Sequence, residues 1–319
     1  MRSARLTCCA LLTLALAYAQ NAEWLGFHQG SEQILVYTNH PLNTANPAIR
    51  RALVVIHGGG RDAEPSLNQG ITAAAKAGVS DETLVVAPRF ASNQGGDCLD
   101  EIDPGEVNWN CDNWRAGGLA PESEGLTSFD VTDEILLRLA DRTVFPNLKT
   151  IVVAGHSAGG QYVTRYAMAN RVHEKIAGQG IALSYVVANP SSYAYPDPER
   201  PNAEGEKCAP YFNNWPYGLD RRTDYVGKVT AAQLLAQLIG RPVTYLLGEL
   251  DTQANAGLDQ SCPANAQGPY RRARGEAFFA MVTLKYHAPH HMALIPGCGH
   301  NARCMFSSEK ALPALFPKP

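Results

Sequence analysis

Thr150-Ile151-Val152-Val153-Ala154-Gly155-His156-Ser157-Ala158-Gly159-Gly160 decides how this chain is read. An apolar run of strand length leads straight into a G-x-S-x-G pattern, and a helix-compatible run over 161–170 follows it. Alone the pattern is weak, because glycine and serine are common. Between a strand and a helix it describes a backbone turn so sharp that the residues two before and two after the serine must be small. The serine hydroxyl is then held out of the sheet. A phosphate-cradling turn is the competing reading, but no Lys-Ser/Thr pair follows the glycines and G-x-G-x-x-G is absent.

Working outward, further apolar, β-branched runs occupy 33–37, 52–56, 83–87, 183–188, 243–247 and 292–295. Runs without polar alternation predict strands buried on both faces, as in a parallel sheet. Helical patterns at 70–77, 128–142, 161–170, 231–239 and 271–286 separate them. This alternation predicts an α/β fold: a doubly wound, mostly parallel central sheet with helices on both faces. Two long irregular stretches, 89–127 and 190–227, follow strand C-terminal ends, where open α/β sheets bind ligands.

The first 19 residues carry the signature of an export signal. Arg2 and Arg5 precede an apolar core over 8–17 that is too short to span a bilayer, and Ala17-Tyr18-Ala19 fits a small-x-small cleavage site. The expected organisation is a signal peptide at 1–19 and a single α/β domain over 20–319, secreted or periplasmic, with no membrane span. A formal charge of −3 and no basic stripe argue against a nucleic-acid partner. Of the cysteines, Cys8 and Cys9 fall in the leader. The remaining six read as disulfides in an exported chain. Proximity favours Cys98–Cys111 and Cys298–Cys304, leaving Cys208–Cys262, and closing a loop as short as the first gains about 3 kcal/mol. A zinc site would need C-x-x-C spacing, which is absent. No metal and no cofactor is expected.

A nucleophilic serine requires a base within hydrogen-bond reach and a carboxylate to orient that base. After Ser157 the strand run 243–247 leads into Gly248-Glu249-Leu250-Asp251. Asp251 is the expected acid. Glu249 is the alternative, close to the strand end, and Asp259 lies further into the loop. His300 sits on the Gly-rich turn Pro296-Gly297-Cys298-Gly299-His300-Asn301 after the last strand, where the base belongs. His287, His290 and His291 have no acidic residue at ligand spacing and read as the entry to that strand. The oxyanion hole needs two backbone N–H donors. Ala158, directly after the serine, supplies one, and Gly59 of His57-Gly58-Gly59-Gly60 the other, since glycine lets the backbone approach a substrate. Arg61 reads as a salt bridge holding that loop.

Together the strand-HGGG loop, the strand-GHSAGG-helix, the strand-GELD and the strand-GCGH resemble the α/β-hydrolase fold family, over 52–301. The resemblance implies an eight-stranded, mostly parallel sheet, with Ser157 as nucleophile, Asp251 as acid and His300 as base. It is similar to secreted esterases and polyester-depolymerase-like proteins within that family. No Leu- or Phe-rich lid follows the central strands, which argues against a lipase.

The function expected is hydrolysis of a small-molecule or polymeric carboxylic ester through an acyl-enzyme. Alternatives with the same triad are an acyltransferase and a serine peptidase; from a different class, a non-catalytic binding module. The long loops are aromatic, and Trp114 and Tyr193 are the expected substrate-stacking residues. Asp97, Asp100, Glu101, Asp103 and Glu106 read as a solvated acidic loop, with calcium as the competing reading.

Overall fold

The structure, a computed structural model, describes residues 21–202, 211–255 and 257–318. The expected signal peptide at 1–19 and Cys208 lie outside these residues. Eight strands form one sheet: β1 (Asn21–Phe27), β2 (Glu32–Thr38), β3 (Arg51–Ile56), β4 (Thr83–Pro88), β5 (Thr150–His156), β6 (Ala182–Ala188), β7 (Val243–Gly248) and β8 (His291–Ile295). Their order is β1-β2-β4-β3-β5-β6-β7-β8. β2 runs antiparallel to β1 and β4, while β3 to β8 run parallel to one another.

The unbroken apolar runs are explained by two cores, one on each face. Along β3, Ala52, Val54 and Ile56 enter one core, while Leu53 and Val55 enter the other. Side chains alternate across the sheet, so a strand covered on both faces must be apolar at every position. Helices α1 (Ala63–Lys76), α2 (Ser128–Leu139), α3 (Ala158–Ala169), α4 (Ala231–Gly240), α5 (Arg271–Ala280) and α6 (Ala302–Ser307) supply the cover. Leu67 of α1 and Met305 of α6 pack on one face. Phe129 of α2, Tyr162 of α3, Leu234 of α4 and Phe278 of α5 pack on the other. Each such buried side chain stabilises the fold by roughly 1.5–3 kcal/mol.

Two elements differ from the sequence expectation. Strand β1 was not expected, because as an edge strand it is largely exposed and carries a weak apolar signal. Helix α1 begins at Ala63 rather than at residue 70, its first turns being polar and carrying Pro65. Gly70 lies inside it because a Cβ there would stand 2.6 Å from Val85 Cγ1, so the helix packs closely on the sheet.

Disulfides join Cys98 to Cys111 and Cys298 to Cys304. Cys262 is also disulfide-bonded.

Candidate active site

Ser157 sits between β5 and α3 with φ 59° and ψ −119°, a conformation a side-chain-bearing residue adopts only under constraint. The constraint is visible in its neighbours. A Cβ on Gly155 would lie 2.3 Å from the Gly159 carbonyl oxygen, and one on Gly159 would lie 2.2 Å from that of Ile56. Only glycine lets β5, α3 and β3 converge this tightly. The Ser157 amide donates to the Ala188 carbonyl at 3.0 Å, tying the turn to the end of β6.

Two other strand ends bring their side chains to the same place. His300 Nε2 is 2.9 Å from Ser157 Oγ, and His300 Nδ1 is 2.8 Å from Asp251 Oδ2. The turns are cross-linked through backbone: the amide of Leu250 donates to the Cys298 carbonyl at 2.8 Å, and that of Glu249 to Ile295 at 3.0 Å. Buried Asn189, at the end of β6, accepts from the Gly248 amide at 2.8 Å and donates to the Gly299 carbonyl at 3.3 Å. It joins the Asp251 turn to the His300 turn, and its sequence context gave no hint of this. The Cys298–Cys304 bridge encloses His300, and the Asn301 side chain caps α6 by accepting from the Cys304 amide at 2.9 Å. Glu249 instead accepts from the Gly297 amide at 2.9 Å and does not meet His300.

A second residue missed in the sequence stands behind Asp251. Arg271, the first residue of α5, is 1% exposed and places Nη1 3.9 Å from Asp251 Oδ1. No hydrogen bond from the described residues reaches that oxygen. Nη1 also donates to Asn255 Oδ1 at 2.5 Å, which fixes the guanidinium. His156 lies against His300 with ring centroids 4.5 Å apart. Burial, then the charges of His300 and Arg271, hold His156 well below the ordinary histidine range, so it stays neutral there.

The HGGG loop follows β3, whose Ile56 pairs with Gly155 of β5, so loop and elbow are neighbours. His57 is buried and neutral, pushed down to about 4 by desolvation. Its Nε2 accepts from the Phe90 amide at 3.0 Å, so Nδ1 carries the proton and donates to the Gly58 carbonyl at 2.9 Å. Arg61 meets Asp100 through Nε at 2.5 Å and Nη2 at 3.1 Å, and Nη1 donates to the Gly59 carbonyl at 2.7 Å. That pair anchors the loop to the disulfide-tied segment. Gly59 lies in the exposed turn, and Ala158 opens α3.

In the acidic loop Asp97, Glu101 and Asp103 are exposed, while the other two carboxylates depart from the expected solvated character. Asp100 is taken by Arg61, and Glu106, whose side chain is fully buried, by Arg89 at 3.0 Å. Among the described residues no group of three or more His, Cys, Asp or Glu is placed to hold a metal ion.

The expected substrate-stacking residues are corrected by the structure. Trp114 is 1% exposed, stacked on Phe90 at 5.4 Å and against His57 at 4.7 Å, with Nε1 donating to the Cys111 carbonyl. Tyr193 is fully buried and stacked on Phe278 at 4.5 Å. Both rings extend the core under the loops, where removing a large apolar surface from water outweighs any gain from leaving it open. Trp215 and Tyr217 reach a cavity instead. Its volume is about 690 Å³, and its wall includes Arg115, Gln161, Arg165 and Asp259. None of Ser157, Asp251 and His300 lines it; a smaller cavity of about 300 Å³ touches His300 and Gly58. Gln161, on the wall of the larger one, is one turn of α3 beyond Ser157.

No known family model matches the chain, and neither does any curated protein. The chain is similar to the solved structure of LpqC, poly(3-hydroxybutyrate) depolymerase from Bordetella parapertussis, at 24% identity and a TM-score of 0.65, with 93% of this chain and 90% of that chain covered. It is also similar to poly(aspartic acid) hydrolase-1 from Sphingomonas sp. KT-1, at 22% identity and a TM-score of 0.63, covering 90% of this chain and 95% of that one. With the sheet order and the strained serine between β5 and α3, these likenesses establish that the chain has the α/β-hydrolase fold.

Proposed function

We propose that the chain hydrolyses carboxylic esters with Ser157 as nucleophile, His300 as base and Asp251 as acid. One observation carries this reading: the relay Ser157 Oγ, His300 Nε2, His300 Nδ1, Asp251 Oδ2 runs without a gap at 2.9 and 2.8 Å. In this mechanism His300 takes the proton from Ser157 as the oxygen attacks the ester carbonyl. The amides of Ala158 and Gly59 donate to the oxyanion that forms. Collapse expels the alcohol, which receives its proton from His300. Water, deprotonated by His300, then attacks the acyl-enzyme and releases the acid.

Asp251 is buried and stabilises the imidazolium that appears between these steps. Arg271 acts through Asp251 as a positioning residue, since its guanidinium stands beside the far carboxylate oxygen and is itself fixed by Asn255. The neutrality of His156 matters for the same reason, because a second cation against His300 would oppose its protonation. One similar protein is named for depolymerising a polyester, which suits the same chemistry on a small or polymeric ester. Disulfides support a secreted or periplasmic setting. Among the described residues no helix is long and apolar enough to cross a membrane.

The test is turnover of 4-nitrophenyl esters from acetate to octanoate by wild type and Ser157→Ala. Loss of the nucleophile is expected to lower kcat by a factor of at least about a thousand. Equal rates for the two proteins would overturn the assignment.

A further inference from the structure

The cavity of about 690 Å³ is walled by side chains from four separate segments of the chain. Arg115 comes from the loop over 89–127, Trp215 and Tyr217 from that over 190–227, Asp259 from the segment after Asp251, and Gln161 and Arg165 from α3. Gln161 lies about 6 Å along the helix from Ser157, so a group seated here sits next to an ester held at the serine.

The chemistry of this wall is mixed in a specific way. Its charged members are two arginines, Arg115 and Arg165, and three carboxylates, Asp112, Asp224 and Asp259. An aliphatic chain would leave these polar groups facing hydrocarbon, which is costly. An anionic ligand would meet three carboxylates, and a cationic one two guanidinium groups. A neutral ring bearing several hydroxyls satisfies both sets, because each hydroxyl donates to a carboxylate while accepting from Arg, Asn or Gln. Its C–H faces suit the aromatic walls of Trp215 and Tyr217.

The wall is also held in place in advance. Tyr217 Oη donates to Asp259 Oδ2 at 2.8 Å, and Trp215 Nε1 donates to the Ala116 carbonyl at 2.9 Å. Arg115 Nη1 donates to Gln161 Oε1 at 3.3 Å. Arg165, 1% exposed, donates to the Pro216 and Arg115 carbonyls and to Ser192 Oγ at 3.1–3.2 Å. Little side-chain freedom remains to be lost on binding. The volume falls in the range of roughly 300–1,000 Å³ typical of small-molecule sites. We infer that this cavity binds a neutral sugar, and, resting on the ester-hydrolase reading, that the substrate is a sugar ester.

Binding is tested apart from catalysis. Saturation-transfer NMR on Ser157→Ala with the methyl glycosides of glucose, galactose, mannose and xylose should show transfer to at least one of them. Adding Trp215→Ala should abolish it, and adding Asp259→Asn, which keeps the shape of the wall, should weaken it. Transfer to none of the four, or transfer that survives both second substitutions, overturns the inference. In active enzyme, kcat/KM for the acetate ester of the bound glycoside should exceed that for ethyl acetate by about tenfold, the worth of one or two hydrogen bonds. Trp215→Ala should erase that excess mainly through KM. If it instead erases a preference for octanoate over acetate esters, the cavity is an acyl pocket and the sugar assignment fails. Because the NMR arm needs no turnover, a protein that binds glycosides but cleaves no ester refutes the hydrolase reading alone.

Discussion

The turns that carry Ser157, Asp251 and His300 and the loops that wall the large cavity both hold side chains at the C-terminal end of the sheet, by different means. The turns are short and fixed by backbone: glycine contacts at the elbow, and amide-to-carbonyl bonds between the ends of β7 and β8. The loops are long and fixed by side chains, with buried arginines reaching carbonyls far away in sequence, as Arg165 does with Pro216 and Arg115. Backbone-held turns keep their geometry when one side chain changes. Side-chain-held loops should not.

The sharpest way to break this contrast is Asp251→Asn. The turn should persist, with an unchanged melting temperature, while kcat falls by roughly ten-thousandfold because the imidazole takes the wrong tautomer. Glu249→Gln should retain most of the activity, since its carboxylate serves the Gly297 amide. Should the Glu249 change alone abolish turnover, the acid has been misassigned.

Arg165→Met probes the loops. It leaves the carbonyls of Pro216 and Arg115 without a donor inside the fold, while Ser192 Oγ keeps the one from Gln161, at a cost of about 3 kcal/mol in urea unfolding. A variant as stable as wild type would show that the loops do not depend on it.

Acid should act on the anchor of the HGGG loop. His57 and His173 are both pushed by burial from the ordinary 6.5 to about 4. Between those values the unfolded chain binds more protons than the fold, so stability falls as pH drops from 6.5 to 4. Asp133 works in the opposite direction: burial raises it from 3.8 to about 6, so its contribution is lost as pH rises through that window. With His156 also held down by burial, three histidines set against Asp133 predict a lower melting temperature at pH 4 than at pH 6.5, and a steeper fall in Asp133→Asn. Calorimetry showing a rise on acidification would contradict this.

The smallest effect is expected from Cys298→Ser with Cys304→Ser. Opening this small ring costs about 2 kcal/mol. If the bridge also stiffens the His300 turn, kcat should drop several-fold. A lower melting temperature with unchanged kcat would assign the bridge to stability alone.

Much of the site was legible because its signals are local. The elbow glycines, the HGGG loop and the turns bearing Asp251 and His300 each follow an apolar strand, and their order along the chain matches what the chemistry needs. Asn189 and Arg271 escaped notice because nothing near them in sequence distinguishes them; their roles arise only where β6, β7, β8 and α5 meet. Trp114 and Tyr193 were misplaced for a related reason. An aromatic residue in a long loop has the same sequence signature whether its ring turns toward the core or toward a ligand.

The sequence by itself determined the α/β architecture and the small residues around Ser157, and it placed candidate carboxylates and His300 on turns after apolar strands, since strand burial and tight turns impose composition directly. The tertiary structure alone decided which carboxylate meets His300, which arginine backs it, and that Trp215 and Tyr217 rather than Trp114 and Tyr193 reach the cavity. Those outcomes depend on contacts between segments many residues apart, where packing and desolvation, rather than local backbone preference, select the partner.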